Sequence, residues 1–157
     1  MTYTQPPSMS REDAESLLRE AKIARFCSLN QDGTIHAAPV WYKYENGQII
    51  VATPVASRKA RNVRRNNNVT ILIDISEGGV QPRCALIYGK AEVELWTEDR
   101  FREGVSLLER YMPKERAEPY ARGLFKLTKW EIMRITPERI ASFDYGKDEA
   151  YRNATRE

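Results

Sequence analysis

Two dipeptides, Asp32-Gly33 and Asn46-Gly47, divide the N-terminal part of the chain into short runs rich in β-branched and aromatic residues. Asp-Gly and Asn-Gly are strong hairpin signals, because their residues tolerate the positive φ angles that tight turns require. The runs on both sides of each dipeptide are therefore expected to pair as antiparallel strands. The predicted strands of this meander are Ile23–Leu29, Thr34–Tyr44 and Gln48–Thr53.

Two helical segments accompany these strands. Ser10, followed by Glu12 and Asp13, predicts the start of a first helix at residues 11–22, because a hydroxyl caps free amides and acids oppose the helix dipole. A second, basic helix is predicted from Ser57 to Asn66. It connects the third strand to a fourth at Val69–Ile75, which is a β-branched run.

The C-terminal half continues the alternation of strands and helices. After a loop at residues 76–82, a long strand is predicted at Arg83–Trp96, in which Gly89 marks a bulge or a close backbone approach. A helix capped by Thr97 and a short helical piece at Glu115–Ala121 follow. The last predicted strands are Leu124–Ile135 and Arg139–Tyr145, separated by Thr136-Pro137-Glu138. About six or seven mostly antiparallel strands with two or three helices predict a mostly β, α+β class, namely a small split barrel flanked by helices. Such a barrel fills its interior with side chains, so a large cofactor is expected outside it, at a subunit interface.

Composition limits the kind of protein that this can be. The 157 residues fit one domain, and the ends, residues 1–9 and 147–157, read as flexible tails. A net charge of +3, from 25 basic and 22 acidic residues, is far from the imbalance of a dedicated nucleic-acid binder. Two distant cysteines, Cys27 and Cys84, are expected to be buried free thiols. With neither a signal-peptide core nor an apolar membrane span, a reducing cytoplasm is the expected location.

The segment Thr53-Pro-Val-Ala-Ser57-Arg58-Lys59 combines a strand end with a hydroxyl-initiated helix start. Free amides at a helix N-terminus, the hydroxyls of Thr53 and Ser57, and the charges of Arg58 and Lys59 would together bind a phosphate dianion. Cations at that end oppose the helix dipole by about 0.3–1 kcal/mol each unless an anion neutralises them. Alternatively, Ser57 only caps a solvated basic helix, and the residues alone leave both interpretations open.

Arg64 and Arg65, followed by three asparagines, extend the basic run and raise the alternative of an oligonucleotide binder. Nucleic-acid binding needs cations along one face together with groove-reading or stacking side chains. This stretch has neither interleaved aromatic residues nor a helix-turn-helix pattern, so no nucleic-acid partner is expected. The simpler interpretation places Arg64 and Arg65 on a solvated helix face.

In its order of elements the chain resembles a known family. The residues that carry the resemblance are the hairpin strand Ile49-Ile-Val-Ala-Thr53, the Ser57-Arg-Lys-Ala run, the asparagine-rich turn and the strand Val69-Thr-Ile-Leu-Ile-Asp74. Over about residues 10–145 this is similar to the pyridoxamine 5′-phosphate oxidase family of FMN-binding split barrels. Trp130, Arg134-Ile135 and the segment Ile140 to Phe143 resemble the end of that fold.

The resemblance implies a homodimer with two FMN cofactors at its interface, and without an apolar span no membrane partner is expected. It implies that Thr53, Ser57, Arg58 and Lys59 hold the cofactor phosphate, within a phosphate site at Ser57 to Arg61, and that the backbone of Ala38 to Trp41 runs beside the isoalloxazine ring. It also implies that Phe143 approaches the flavin from the partner subunit. The implied cofactor-binding residues are Ala38, Pro39, Val40, Trp41, Ala52, Thr53, Ser57, Arg58, Lys59, Arg61 and Phe143.

Departures from the family pattern bear on the substrate. The true oxidase carries Arg and Lys on the second strand, near where this chain has Ala37 and Trp41 or Tyr42. Its C-terminal Arg and His, which bind the pyridoxal phosphate substrate, also have no counterpart that can be placed here. The run Lys59-Ala-Arg-Asn-Val-Arg-Arg65 instead resembles the related deazaflavin-dependent reductases, whose cofactor has a long acidic tail. A deazaflavin coenzyme therefore competes with FMN.

These observations predict an oxidoreductase that moves a hydride or an electron pair between a flavin and a small organic substrate. The cofactor supplies the reactive chemistry, so no catalytic side chain is assigned, and a non-catalytic flavin-storage protein is the alternative of another class. His36 is the single histidine, which excludes a multi-histidine metal site, and no metal is expected. It is interpreted first as a packing residue and second as a group beside the flavin ring. Tyr88 is interpreted either as part of the opposite wall or as a core tyrosine at a bulge, and Trp96 and Trp130 are interpreted as packing or interface residues.

Overall fold

Seven strands form one antiparallel sheet in the computed structural model of the protein, which describes residues 6–77 and 80–154. The strands are β1 Ala24–Leu29, β2 Ile35–Val40, β3 Lys43–Glu45, β4 Gln48–Pro54, β5 Asn68–Glu77, β6 Val80–Leu95 and β7 Trp130–Asp144. The helices are α1 Arg11–Glu20, α2 Arg58–Arg65, α3 Phe101–Leu108, α4 Lys114–Leu127 and α5 Glu149–Ala154, with 3-10 segments at Glu98–Arg100 and Tyr145–Lys147. The order across the sheet is β2-β1-β5-β6-β7-β4-β3, which confirms the predicted mostly antiparallel split barrel.

The sheet curls around a main core to which every strand contributes. Phe26 and Ile71, for example, are fully buried there together with Leu17 of α1 and Ala60 of α2. Burying a side chain such as Leu or Phe stabilises the fold by about 1.5–3 kcal/mol. Helices α1 and α2 are therefore held on the barrel by their apolar stripes, while their polar faces remain in solvent.

A second core lies on the outer face of β4. Successive side chains of a strand point to opposite faces, so Ile49 and Val51 enter the main core while Ile50 enters the second one. Helices α3 and α4 cover this outer face with residues such as Leu108 and Ala121. The same strand that leads into α2 therefore also forms the floor beneath the α3–α4 layer.

The hairpin signals predicted the turn between β3 and β4 correctly. Asn46 and Gly47 have φ angles of 51° and 77°, and they connect the paired residues Glu45 and Gln48. Two successive positive φ angles are typical of the type I′ turn that matches strand twist. The predicted run 34–44, however, is two strands rather than one, because Tyr42 turns inward between β2 and β3. Its hydroxyl lies 2.7 Å from the carbonyl oxygen of Leu18, and its ring is fully buried.

The predicted strand Leu124–Ile135 was wrong in its first part. Residues 114–127 form α4, and β7 begins only at Trp130. Ala117, Ala121 and Leu124 recur at helical spacing on the second core, and this packing favours helix despite Pro119 within it.

The final strands were predicted as two, but β7 is continuous. Pro137 pairs with Gly89 at a register shift between Tyr88 and Gly89, where a missing amide donor is tolerated. A Cβ on Gly89 would lie 2.3 Å from the carbonyl oxygen of Thr136. The close approach expected at Gly89 is therefore that of β7.

The structure refines both ends of the predicted helices. Ser10 caps α1 by accepting a hydrogen bond from the Asp13 amide at 3.1 Å, as predicted. Thr97 occupies an N-cap position, but its hydroxyl makes no capping hydrogen bond, so the cap predicted there was wrong.

At the C-terminal end of the described residues, α5 follows a 3-10 turn in which Lys147 bonds to Asp13 at 2.6 Å. Residues 1–5 and 155–157 of the predicted tails lie outside the described residues. Within residues 6–77 and 80–154, none of the helices is long and apolar enough to cross a membrane.

Candidate functional site

The turn between β4 and α2 has the local structure that its sequence predicted. The Ser57 hydroxyl accepts a hydrogen bond from the Ala60 amide at 3.2 Å, and Thr53 donates one to the same hydroxyl at 3.0 Å. Thr53 is itself buried at the end of β4. This pair of hydroxyls fixes the first turn of an eight-residue helix, whose free amides carry the positive end of its dipole.

Three cations near this turn lack a carboxylate partner. The side chains of Arg58, Lys59 and Arg61 make no salt bridge or hydrogen bond with any residue that the structure describes. Arg58 and Arg61 are exposed, whereas Lys59 is half-buried, and burial lowers the pKa of its ammonium group. A half-buried cation at a helix N-terminus is electrostatically unfavourable in the free protein, and a bound anion would relieve it.

The two arginines at the other end of α2 are bound by the protein. Arg64 bonds to the buried carboxylate of Glu131 on β7, and it also donates to the carbonyl oxygen of Val55 at 3.1 Å. Arg65 donates to the carbonyl oxygen of Leu29 at 2.6 Å. Both residues nevertheless remain exposed, as predicted for a solvated helix face, and these contacts reduce their availability to a nucleic acid.

Glu131 is the buried anion that anchors α2. Its side chain is 1% exposed, and burial raises its pKa while the nearby Arg64 guanidinium opposes that rise. Its Oε1 atom makes no hydrogen bond within the described part of the chain. Because Glu131 pairs with Thr53 across β4 and β7, this ion pair ties α2 to the strand that carries the phosphate-binding candidates.

A cavity of about 350 Å³ opens beside Lys59. Six of the predicted cofactor-binding residues line it, namely Pro39, Val40, Trp41, Ala52, Thr53 and Lys59. Of the other predicted residues, Ala38 lies on β2, while Ser57, Arg58 and Arg61 lie at the adjoining turn and first turns of α2. The structure therefore brings the second strand, the end of β4 and the start of α2 around one cavity.

The opposite wall of the cavity was not predicted. It comes from α3 and α4 through Leu107, Leu108, Tyr120 and Leu124, together with Trp96 and Trp130 at the neighbouring strand ends. The two indole rings lie 6.5 Å apart and edge to face, so these predicted packing residues also contribute to the wall. Helical spacing in residues 117–124 was the available signal for this layer, but its contact with β2 has no local sequence signature.

Trp41 is held in place by a neighbouring aromatic residue. Its ring stacks on Tyr111 with centroids 4.6 Å apart and planes 7° apart. The Tyr111 hydroxyl accepts from the Tyr42 amide at 2.7 Å, and it lies 2.8 Å from the carbonyl oxygen of Lys22. The indole therefore presents a fixed, flat apolar surface to the cavity, of the kind that an aromatic ring system can pack against.

The remaining candidates lie elsewhere. Phe143 is near the far end of β7 from Trp130, where its ring packs edge-on against Tyr145 at 5.5 Å, so one chain does not bring it to the cavity. Tyr88 lines a separate cavity of about 280 Å³, and the Arg139 guanidinium lies 4.1 Å from its ring centroid. His36 does not line the aromatic cavity; it faces the cations of α2, and burial, then Lys59 and Arg58, lower the pKa of its imidazole.

Comparison with known proteins identifies the family and the fold of the chain. Residues 10–143 match the family model described as pyridoxamine 5′-phosphate oxidase. No curated protein matches the sequence.

Several solved structures share the fold. A conserved hypothetical protein from Mycobacterium tuberculosis superposes with a TM-score of 0.76 at 23% identity, covering 99% of this chain and 94% of that one. A heme storage protein from Vibrio cholerae gives 0.66 at 17% identity, with 83% and 92% covered. An F420 reductase gives 0.60 at 18% identity, with 80% and 94% covered.

Proposed function

The chain belongs to the pyridoxamine 5′-phosphate oxidase family, and from this premise we propose that it is an FMN-dependent oxidoreductase. One observation carries the proposal. Lys59, half-buried and without a carboxylate partner in the described chain, lies beside an aromatic cavity at the N-terminal turn of α2. This combination of a cationic pocket and a flat apolar wall fits a ligand with a phosphate at one end and a ring system at the other.

Each part of the site has a proposed role in holding the cofactor. The phosphate would bind the free amides of α2, the hydroxyls of Thr53 and Ser57, and the charges of Arg58 and Lys59. The ring would lie along residues 38–41, at and just beyond the end of β2, with Ala52 leaving room beside it. When bound, a flavin supplies hydride or electron-pair chemistry toward a small organic substrate. The protein orients the two molecules and excludes water through the α3–α4 wall.

A homodimer would complete this site. Phe143 lies away from the cavity of its own chain, and Ile35 on edge strand β2 is 72% exposed. We propose that a second copy covers the outer face of β1 and β2 and brings the partner's Phe143 to the ring. Sedimentation of the purified protein under reducing conditions, which keep its free cysteines as thiols, should then give the mass of a dimer.

A deazaflavin-dependent reductase is the second candidate. Arg58 and Arg61 are exposed and unpaired among the described residues, on the solvent side of the proposed phosphate site. Two such cations could neutralise an acidic tail that extends beyond the phosphate. The similarity to an F420 reductase fold is consistent with this candidate.

The decisive experiment identifies the ligand that the protein carries. Heating the purified protein should release a cofactor whose mass and absorption spectrum distinguish FMN from a deazaflavin. The proposal fails if the protein is colourless and neither cofactor binds when added in excess. A bound flavin that nicotinamide donors cannot reduce, with its ring sealed from solvent, would instead favour a storage protein.

A further inference from the structure

The position of His36 relates it to α2 rather than to the aromatic cavity. His36 pairs with Ser28 across β1 and β2, and directly paired residues project from the same face of a sheet. On that face, Asn62 of α2 donates to the Ser28 hydroxyl at 3.1 Å and to the Asn30 side chain at 2.9 Å. The half-buried imidazole therefore lies on the face that α2 covers, near the first turn of that helix.

The charged groups around His36 are mainly cationic. Lys59 and Arg58 face it from α2, and both disfavour its protonated form, as does its partial burial. Asp32, in the turn before β2, is the nearby acid, and it interacts with Arg58. Ser28, the cross-strand partner of His36, is neutral. In the free protein, therefore, partial burial and two cations without a bonded carboxylate among the described residues all disfavour the protonated imidazole.

We propose that His36 is a further residue of the anion-binding site, taking up a proton from solvent when the phosphate group of the cofactor binds. This inference rests on the proposed function, because it needs a phosphate at the start of α2. A bound dianion would neutralise Lys59 and Arg58 and attract a positive imidazolium, so that a repulsive environment becomes an attractive one. No covalent bond forms, and the proton is returned to solvent on release.

The sign of the resulting pH dependence follows from linkage. In the free protein the pKa of His36 lies below its ordinary value of 6.5, because of burial and the two cations. Phosphate binding raises the pKa of His36, because the dianion favours the protonated imidazole. The contribution of His36 to affinity is therefore fully present below the free-state pKa and is lost as the pH rises through the bound-state pKa.

The single histidine makes a direct test practicable. In untagged protein, the imidazole carbon-bound proton of His36 gives one histidine signal in an NMR titration, and its pKa can be measured with no ligand, with saturating FMN and with riboflavin. We expect FMN to raise the pKa by at least about one unit, as a nearby opposite charge does, and riboflavin to leave it unchanged. If FMN saturates the protein and the pKa of His36 does not change, the inference about His36 is wrong while the proposed function stands. Failure of FMN and of a deazaflavin coenzyme to bind at all would overturn the proposed function with it.

Two variants separate a binding role from a packing role. Lys59→Gln should raise the pKa of His36 in the free protein, because it removes a facing cation, whereas replacing the exposed Lys114 at the start of α4 by Lys114→Gln should not. His36→Gln should weaken FMN binding about tenfold at pH 5.5 and have little effect at pH 8.5. Equal losses of affinity at both pH values would assign His36 to packing only.

Discussion

Both ends of α2 carry basic side chains, but only those at the C-terminal end bond to the rest of the protein. At the C-terminal end, Arg64 and Arg65 bond to Glu131 and to backbone carbonyl oxygens. At the N-terminal end, Arg58 and Lys59 have no bonded partner in the described chain. The helix dipole widens the contrast, because it stabilises cations at the C-terminus and destabilises them at the N-terminus.

The difference indicates which cations serve the fold and which serve a ligand. A cation that stabilises the folded chain is bonded where the dipole favours it, as Arg64 is. Arg58 and Lys59 have no side-chain bond within the described residues, the first turn of α2 contains no acid to offset them, and Lys59 is half-buried, so an anion that binds later would explain their placement. In the first turn of α4, by contrast, Glu115 offsets the exposed Lys114 and Arg116. Stability and cofactor affinity should therefore respond to different halves of one eight-residue helix.

The largest expected effect concerns affinity at the N-terminal end. Arg58→Gln combined with Lys59→Gln should weaken FMN binding at least 100-fold, since each charge-assisted hydrogen bond contributes about 1.5–3 kcal/mol. The free energy of unfolding in urea should stay constant or rise, by about 0.3–1 kcal/mol for each removed cation. The matched control, Lys114→Gln with Arg116→Gln at the start of α4, should leave flavin fluorescence titrations unchanged. Undiminished binding by the first variant would refute the proposed phosphate site.

The next effect concerns stability at the C-terminal end. Arg64→Gln leaves the Glu131 carboxylate buried without its guanidinium, which should lower the free energy of unfolding by about 1–3 kcal/mol. The value is below that of a fully buried pair, because the Arg64 side chain is 43% exposed. Arg61→Gln on the same helix is the control and should change stability by less than about 0.5 kcal/mol. If urea unfolding gives equal values for the two variants, the contrast between the helix ends is wrong.

The N-cap of α2 allows stability and FMN affinity to be compared at one residue, Ser57. Ser57→Ala and Ser10→Ala remove equivalent caps from α2 and α1, so each should lower the free energy of unfolding by about 1 kcal/mol. Only Ser57→Ala should also weaken FMN binding, because only that hydroxyl lies in the proposed phosphate site. Thermal unfolding and fluorescence titration of both variants measure the two effects. A loss of affinity in Ser10→Ala would show that cap loss acts on binding through general destabilisation.

The smallest expected effect is a pH dependence from Glu131. Burial raises the pKa of this carboxyl in the folded state, so its stabilising contribution is full below the unfolded value of 4.5 and is lost as the pH rises through the folded value. Relative to Glu131→Gln, the wild-type protein should therefore gain stability as the pH falls from 7 toward 4.5. Urea unfolding at several pH values would contradict this if the difference stayed constant.

Local chemistry explains which predictions from sequence succeeded. The turn at Asn46-Gly47 and the helix capped by Ser57 depend on residues that are neighbours along the chain, and both formed as predicted. The strand predicted at Leu124–Ile135 was wrong only in its first part, because packing on the second core continues the helix to Leu127 before β7 begins at Trp130. The helical piece predicted at Glu115–Ala121 lies within this helix, which extends beyond it at both ends.

The amino-acid sequence by itself determined the hairpins, the class of fold and the cationic helix start at Ser57–Lys59, since each depends on residue types at short spacing. Only the tertiary structure decided which cations find partners. Arg64 bonds to Glu131 across 67 positions of sequence, and His36 lies near Lys59 of α2 because strand register places the imidazole on the sheet face that this helix covers. Such meetings depend on how distant strands align, and their strength depends on burial, which no local spacing specifies.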